Sequence, residues 1–167
     1  MTQTIRSARL DLVSLDPEFL DAALAGETRK AGERLGARVP DDWPDLADTV
    51  PIFLERLRAD PALAPWSIRA IVLRAERRMI GHLGFHAPPG PEGLELGYTV
   101  FAPERRRGYA REGCVALMDW AARAHAVERF IVTIAAENEP SLALARQLGF
   151  REVAGNVLER RVIRSAR

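Results

Sequence analysis

Cysteine is almost absent from this chain: Cys114 is the only one in 167 residues. One thiol excludes a disulfide framework and a cysteine metal cluster. Histidine is scarce too, with only His82, His86 and His125, and no His/Cys/Asp group falls at metal-ligand spacing. No apolar run approaches the length that crosses a bilayer. Met1 is followed by polar and basic residues rather than an apolar signal core, so a cytoplasmic protein with no membrane partner is expected. There is little excess of either charge sign, +1 with neutral histidines, which argues against a general nucleic-acid-binding surface.

What remains is an ordinary globular composition, long enough for one domain spanning residues 1–167 with its own core. Leu10, Leu12 and Leu15 suggest a first strand over Ile5 to Leu15. Asp16 suits the N-cap and Pro17 the first position of a helix that Gly26 ends. Arg29 to Asp48 is poorly patterned and reads as loop around Val39 to Pro44. Its Trp43 either plugs the core edge or lines a cleft. A helix is expected from Leu46 to Ala59, with Val50, Phe53, Leu54 and Leu57 inward and Pro51 in its first turn.

From Trp66 the pattern turns to strand. Trp66 to Val72 and Met79 to His86 read as an antiparallel hairpin across the charged turn Arg74 to Arg78. Gly81 and Gly84 inside it imply a bulge or a close approach by ligand or backbone. Leu94 to Phe101 is the next strand. A helix follows from about Ala110 to Ala124, with Cys114, Val115, Met118, Ala121, Ala122 and His125 inward. Phe130 to Ala135 is a short interior strand. Asn138 then caps a helix whose left-handed end falls at Gly149, and Phe150 to Ala154 and Val157 to Ile163 close the chain as strands. The order predicts a mixed α/β domain. Antiparallel N-terminal strands precede a strand–helix–strand unit long enough for a parallel crossover.

The chemistry concentrates between Leu94 and Phe150. An apolar strand runs into Arg105-Arg106-Arg107-Gly108-Tyr109-Ala110 and then into a helix. The first turn of a helix carries N–H groups without internal partners, the helix dipole adds partial positive charge, and glycine allows close approach, so this is a recipe for binding phosphate. No Gly-Lys-Ser/Thr follows and Gly-x-Gly-x-x-Gly is missing, so neither a nucleoside-triphosphate loop nor a dinucleotide fingerprint is present.

Arg105-x-x-Gly108-x-Ala110 resembles the acetyl-coenzyme A signature of the GNAT N-acetyltransferases. Asn138-Glu139-Pro140-Ser141 with Leu148-Gly149-Phe150 resembles that family's second segment. Glu95-Leu96-Gly97-Tyr98 and Asn138-x-x-Ser141 look most like its RimJ/RimL-like branch. The resemblance implies a GNAT-like mixed sheet with a splayed parallel pair in its centre, flanked by about four helices. It also implies acetyl-CoA as co-substrate and no metal. Backbone N–H groups of Arg106, Arg107, Gly108, Tyr109, Ala110 and Arg111 would hold the pyrophosphate, with charge from Arg105, Arg106 and Arg107. The strand around Tyr98 to Val100 would splay to admit pantetheine, and an N–H near Val100 would polarise the thioester. Asn138 would bond the coenzyme arm, beside its plainer role as a helix cap.

The sequence departs from the family at Ala145, where many members carry a tyrosine that protonates the leaving thiolate. Ser141 is the substitute acid, or only a first-turn capping residue. Glu95 is the first choice for general base, against an exposed residue in a salt bridge; His82, His86 and Glu137 stand behind it. The implied reaction is direct attack on acetyl-CoA by a primary amine, at a protein N-terminus or on a small molecule. Cys114, inside a helix pattern, would carry no acetyl group. A non-catalytic acyl-CoA sensor is the alternative. A homodimer is expected, with Val157 to Ile163 as the pairing edge.

Overall fold

The computed structural model describes residues 4–162. The expected first strand is broken into β1 (Ile5–Arg6) and β2 (Leu10–Ser14), paired antiparallel. Asp16 caps α1 (Pro17–Leu24), accepting from the Phe19 N–H at 2.9 Å. A helix not expected from the sequence, α2 (Thr28–Leu35), follows and ends on left-handed Gly36. Its only buried residue is Ala31, so it carries no apolar stripe to betray it. In α3 (Leu46–Ala59), Pro51 lies beyond the first turn where it had been expected, inside the helix.

A 3-10 turn, Pro61–Trp66, leads into β3 (Ile68–Leu73), which pairs with β4 (Arg78–Phe85) as the hairpin expected. The register slips between Ile71 and Val72, leaving Ile80 as the extra residue beside Gly81. Both readings of the glycines hold here. A Cβ on Gly81 would lie 2.2 Å from the Thr99 carbonyl oxygen, and one on Gly84 2.5 Å from that of Ser67. Neighbouring backbone, not ligand, makes that approach. β5 (Leu94–Val100) pairs antiparallel with β4, then a 3-10 turn, Ala102–Glu104, precedes α4 (Tyr109–His125). After it come β6 (Arg129–Thr133), α5 (Glu139–Gln147), β7 (Arg151–Ala154) and β8 (Val157–Arg161).

The eight strands form one sheet in the order β1-β2-β3-β4-β5-β6-β8-β7. All pairs are antiparallel except β5 with β6. Helices α1 to α3 cover one face through Phe19, Leu20, Val50, Leu54, Ile68 and Ala70; α4 covers the other through Leu10, Leu12, Ile71, Leu83, Leu117 and Met118. The mixed sheet with a central parallel pair is as expected, flanked by five α-helices among the described residues.

Two expectations are corrected. The terminal strand is not an edge: β8 lies between β6 and β7, and the exposed edge is β7, where Val153 is 55% exposed. Ile163, assigned to that strand from the sequence, lies outside the described residues. His125 is exposed rather than inward, its ring set edge-on against Trp66 and Trp120, each with centroids 4.7 Å away. Leu117, one turn past Gly113, takes the core place instead.

Candidate active site

The central parallel pair lasts only two positions, Leu94 with Phe130 and Glu95 with Ile131. Beyond Glu95, β5 stays bonded to β4 and leaves β6. Hydrogen bonds along an antiparallel strand alternate sides. His86 N–H donates to Glu95 O and Phe101 N–H to Ile80 O, so odd-numbered residues of β5 bond to β4. The N–H groups of Tyr98 and Val100 therefore point the other way, into the opening.

That opening is part of a cleft of about 700 Å³. It brings together most of the residues singled out from the sequence: Tyr98, Val100, Arg105, Arg106, Gly108, Tyr109, Ala110, Arg111, Asn138 and Ser141. Arg106 and Gly108 are both left-handed, with φ of 63° and 78°, and such turns make an anion-binding concavity of successive N–H groups. Among the described residues, no acceptor takes the backbone N–H groups of Arg106 to Arg111. They stand at the N-terminus of the 17-residue α4, where the helix dipole adds positive potential.

The arginine side chains serve the loop as much as the cleft. Arg105 Nε donates to Val100 O at 3.1 Å, folding back over the end of β5. Arg107 does not line the cleft; its guanidinium lies 3.4 Å from Glu104. Glu104, a wall residue the sequence did not suggest, is 7% exposed and accepts from Arg78 Nη1 at 2.6 Å. The hydrogen bond from Arg78 holds its carboxyl below the ordinary carboxylate value. That pair ties the phosphate-type loop to β4. The Arg9 guanidinium lies over the Tyr109 ring, 4.5 Å from its centre.

Asn138 caps α5, its Oδ1 accepting from Ser141 N–H at 3.3 Å. Its amide NH₂ keeps both donors for the cleft. Tyr98 reaches across to the same turn, its hydroxyl 3.5 Å from Ser141 O. Burial pushes that phenol above its ordinary value, so it stays protonated.

Glu95 lies on the opposite face of β5 and does not line this cleft. Its Oε1 accepts from Thr133 Oγ1 at 2.8 Å and its Oε2 lies 3.3 Å from His86 Nδ1. A carboxylate so engaged bridges β5 and β6 at the narrow end of the splay. Gly97 makes room for His86, whose Nε2 would lie 2.7 Å from a Cβ there.

On Glu95's face is a second cavity, about 160 Å³, between α3 and strands β4 and β5. Tyr98 and Thr99 line both cavities, so that point of β5 is a wall common to the two. Its hub is Asp45, which the sequence reading passed over. Asp45 stands at the N-cap of α3 without making a cap bond. Its carboxylate accepts instead from Trp43 Nε1 at 2.9 Å, His82 Nε2 at 2.8 Å and Thr99 Oγ1 at 3.2 Å. The hydrogen bond from His82 is the largest influence holding this carboxyl down, to about 2, against the effect of burial. Trp43 is 6% exposed, packed on Phe19 and Phe101 and 5.5 Å from the His82 ring. It is a core plug, and it also backs this cavity's histidine. Glu137 is exposed on the turn before α5.

An α/β sheet splayed beside a helix-terminus anion cradle is the arrangement of an acyl-coenzyme A-dependent transferase. Residues 9–151 match the Acetyltransferase (GNAT) domain family. The chain belongs to that family, and the expected N-acetyltransferase class is borne out. It is 28% identical over 149 residues to the uncharacterized N-acetyltransferase YjdG of Bacillus subtilis, covering 87% of this chain and 88% of that one. Its fold is similar to that of RimL, a ribosomal L7/L12 alpha-N-protein acetyltransferase solved with coenzyme A (TM-score 0.67, 19% identity, 96% and 98% of the two chains). It is similar also to an acetyl transferase of Salmonella typhimurium that modifies the N-terminal serine of ribosomal protein L7/L12 (TM-score 0.66, 19% identity, 96% and 100%). Among the described residues, no helix is long and apolar enough to cross a membrane and no group of side chains could hold a metal ion.

Proposed function

We propose that the chain transfers acetyl from acetyl-CoA directly to a primary amine, in the manner of the RimJ/RimL-like branch, in the cytoplasm. The observation that carries this is the wall that the two cavities share at Tyr98 and Thr99, where β5 has left β6. One cavity has the donors for a coenzyme, and the other has the Asp45 carboxylate in its wall and Glu95 behind its His86. The residues fit the coenzyme: unpaired N–H groups of Arg106 to Arg111 for pyrophosphate, the Asn138 amide for the arm, and a cleft of about 700 Å³ that both line. When bound, acetyl-CoA supplies an acyl thioester. The Tyr98 and Val100 N–H groups then donate to the thioester oxygen as negative charge grows on it.

Glu95, joined by the Asp45 charge, draws the ammonium form of the acceptor toward the second cavity, where its proton is taken by a base directly or through water. Ser141 and the Tyr98 hydroxyl stand at the turn where the departing sulfur is protonated, in place of the tyrosine that Ala145 replaces. Cys114 takes no part: it is fully buried, and burial pushes its thiol up to about 12.

The test measures free thiol released from acetyl-CoA against a peptide with a free N-terminal serine and against 1,4-diaminobutane. Amine-dependent release with one N-acetylated product supports the reading. Coenzyme binding without release on either amine would favour a sensor, which the absence of tyrosine at Ala145 makes the second reading.

A further inference from the structure

Two His–carboxylate pairs sit on the acceptor face of β4 and β5: His86 with Glu95, and His82 with Asp45. They differ in distance from the place where acyl transfer must occur. That place, on the cofactor reading above, is at the Tyr98 and Val100 N–H groups. His82 is the register partner of Thr99, the residue between them. Glu95 lies three residues before Tyr98 and four before Thr99, so at the rise of a strand it is about 10–13 Å back along β5. A general base works within hydrogen-bond reach of the proton it takes, or through one water. Glu95 needs a longer relay to act at the reacting nitrogen than His82, which stands level with it on the neighbouring strand, within reach of one water.

Asp45 cannot be that base. Its Oδ2 already receives His82, Thr99 and, at 3.4 Å, Thr49 Oγ1, and its Oδ1 receives Trp43; a carboxyl so held, down at about 2, is a poor proton acceptor at neutral pH. Being ionised, it only accepts, so the His82 Nε2 carries hydrogen, and in the neutral ring Nδ1 then carries the lone pair. The Thr99 hydroxyl and the His82 ring share one Asp45 oxygen, and Trp43 packs beside the ring. His82 is thus fixed in tautomer and orientation while lining the cavity.

We propose that His82 is the proton acceptor at the reacting amine, that Asp45 is the positioning residue behind it, and that Glu95 attracts the cationic acceptor from the rim. The ammonium N–H bond breaks and its proton goes to His82 Nδ1. The freed lone pair forms the N–C bond to the thioester carbon. The C–S bond breaks with its electron pair going to sulfur, which takes the second proton lost by nitrogen, and His82 returns its proton to solvent.

The experiment compares wild type with His82→Gln, His82→Ala and Glu95→Gln, using acetyl-CoA with the N-terminal-serine peptide and with 1,4-diaminobutane. Gln at 82 keeps a donor for Asp45 but cannot take the proton. Thermal stabilisation by coenzyme A is measured in parallel. If wild type gains no stability from coenzyme A, the cofactor reading fails, and this proposal with it. If wild type binds coenzyme A but acetylates neither amine, the transfer step is overturned alone. With both present, kcat in His82→Gln falls about 10²-fold or more, as for loss of a positioned general base, with coenzyme stabilisation unchanged. Glu95→Gln raises KM for the amine more than it lowers kcat. Imidazoles added to His82→Ala restore rate in proportion to their basicity at similar size, which a merely structural filling of the site would not do. A kcat within threefold of wild type in His82→Gln, or rescue indifferent to basicity, overturns the proposal.

Discussion

Asp45→Asn tests the acceptor cavity without any substrate. The wild-type carboxyl sits at about 2 rather than 3.8. At 1.36 kcal/mol per unit, that displacement corresponds to about 2.4 kcal/mol of stability if unscreened. The side chain is 30% exposed, and solvent screening brings the figure to about 1–2 kcal/mol. Asparagine keeps one acceptor oxygen but turns an NH₂ toward one of the groups that Asp45 satisfied, costing about 1 kcal/mol more. The variant is therefore expected to lose about 2–3 kcal/mol at pH 7 in urea unfolding. The sign of the pH dependence follows from a lowered native value: the carboxylate's contribution is complete above 3.8 and is lost as pH falls through about 2. Between pH 7 and pH 3 the difference between wild type and variant should shrink by up to about 1 kcal/mol. Other carboxylates lose stability in acid too, but they do so in both proteins, and the difference isolates Asp45. A gap that stays constant from pH 7 to pH 3 would refute the reasoning.

Gly108→Ala places a side chain at φ 78°, which costs about 1–2 kcal/mol; coenzyme A affinity by calorimetry should fall at least about tenfold as the cradle turns, although the new Cβ meets only Arg9 Nη2 at 3.5 Å. Gly84→Ala drives a Cβ to 2.5 Å from the Ser67 backbone oxygen and should cost about 1–3 kcal/mol or more in thermal unfolding. Gly97→Ala meets only the end of the His86 ring, so it should cost less than about 1 kcal/mol while separating His86 from Glu95; equal losses for the two glycines would count against this packing. Cys114→Ala should keep kcat within threefold, with both substrates present before any product leaves. A ping-pong pattern with a trapped acetyl-enzyme would contradict direct transfer.

The sequence showed the helices with caps and the strands with alternation. It missed α2 because a helix that buries only Ala31 carries no stripe, and it misplaced His125 because helical spacing admits both Leu117 and His125 on neighbouring stripes while the sheet accepts only one. The edge strand was misjudged for a different reason. Chain order puts Val157 onward last, but the β7–β8 hairpin folds back so that β8 lies inside, and sequence order does not fix spatial order within a hairpin.

The two halves of the site differ in legibility because they are made of different material. The half proposed to hold the coenzyme is mostly backbone: N–H groups of Arg106 to Arg111, Tyr98 and Val100, exposed by a left-handed turn and a strand that departs from its neighbour. Backbone so arranged needs glycine, a helix start and a cap at fixed spacing along one stretch, and such constraints appear as a motif. The half proposed for the acceptor is made of side chains from three segments, Asp45 and Thr49 at the start of α3, His82 of β4 and Thr99 of β5, each ordinary where it stands. Asp45 stands at a helix N-cap without making the cap bond, and no pattern marks it; His82 reads as a lone strand histidine. Their chemistry exists only after α3 packs on β4 and β5. The amine that enters is therefore governed by contacts that vary without disturbing the coenzyme motif, so relatives that share the cradle can differ in acceptor. Exchanging the cradle between such relatives should leave acceptor preference unchanged, whereas exchanging residues 45–49 together with His82 should move it.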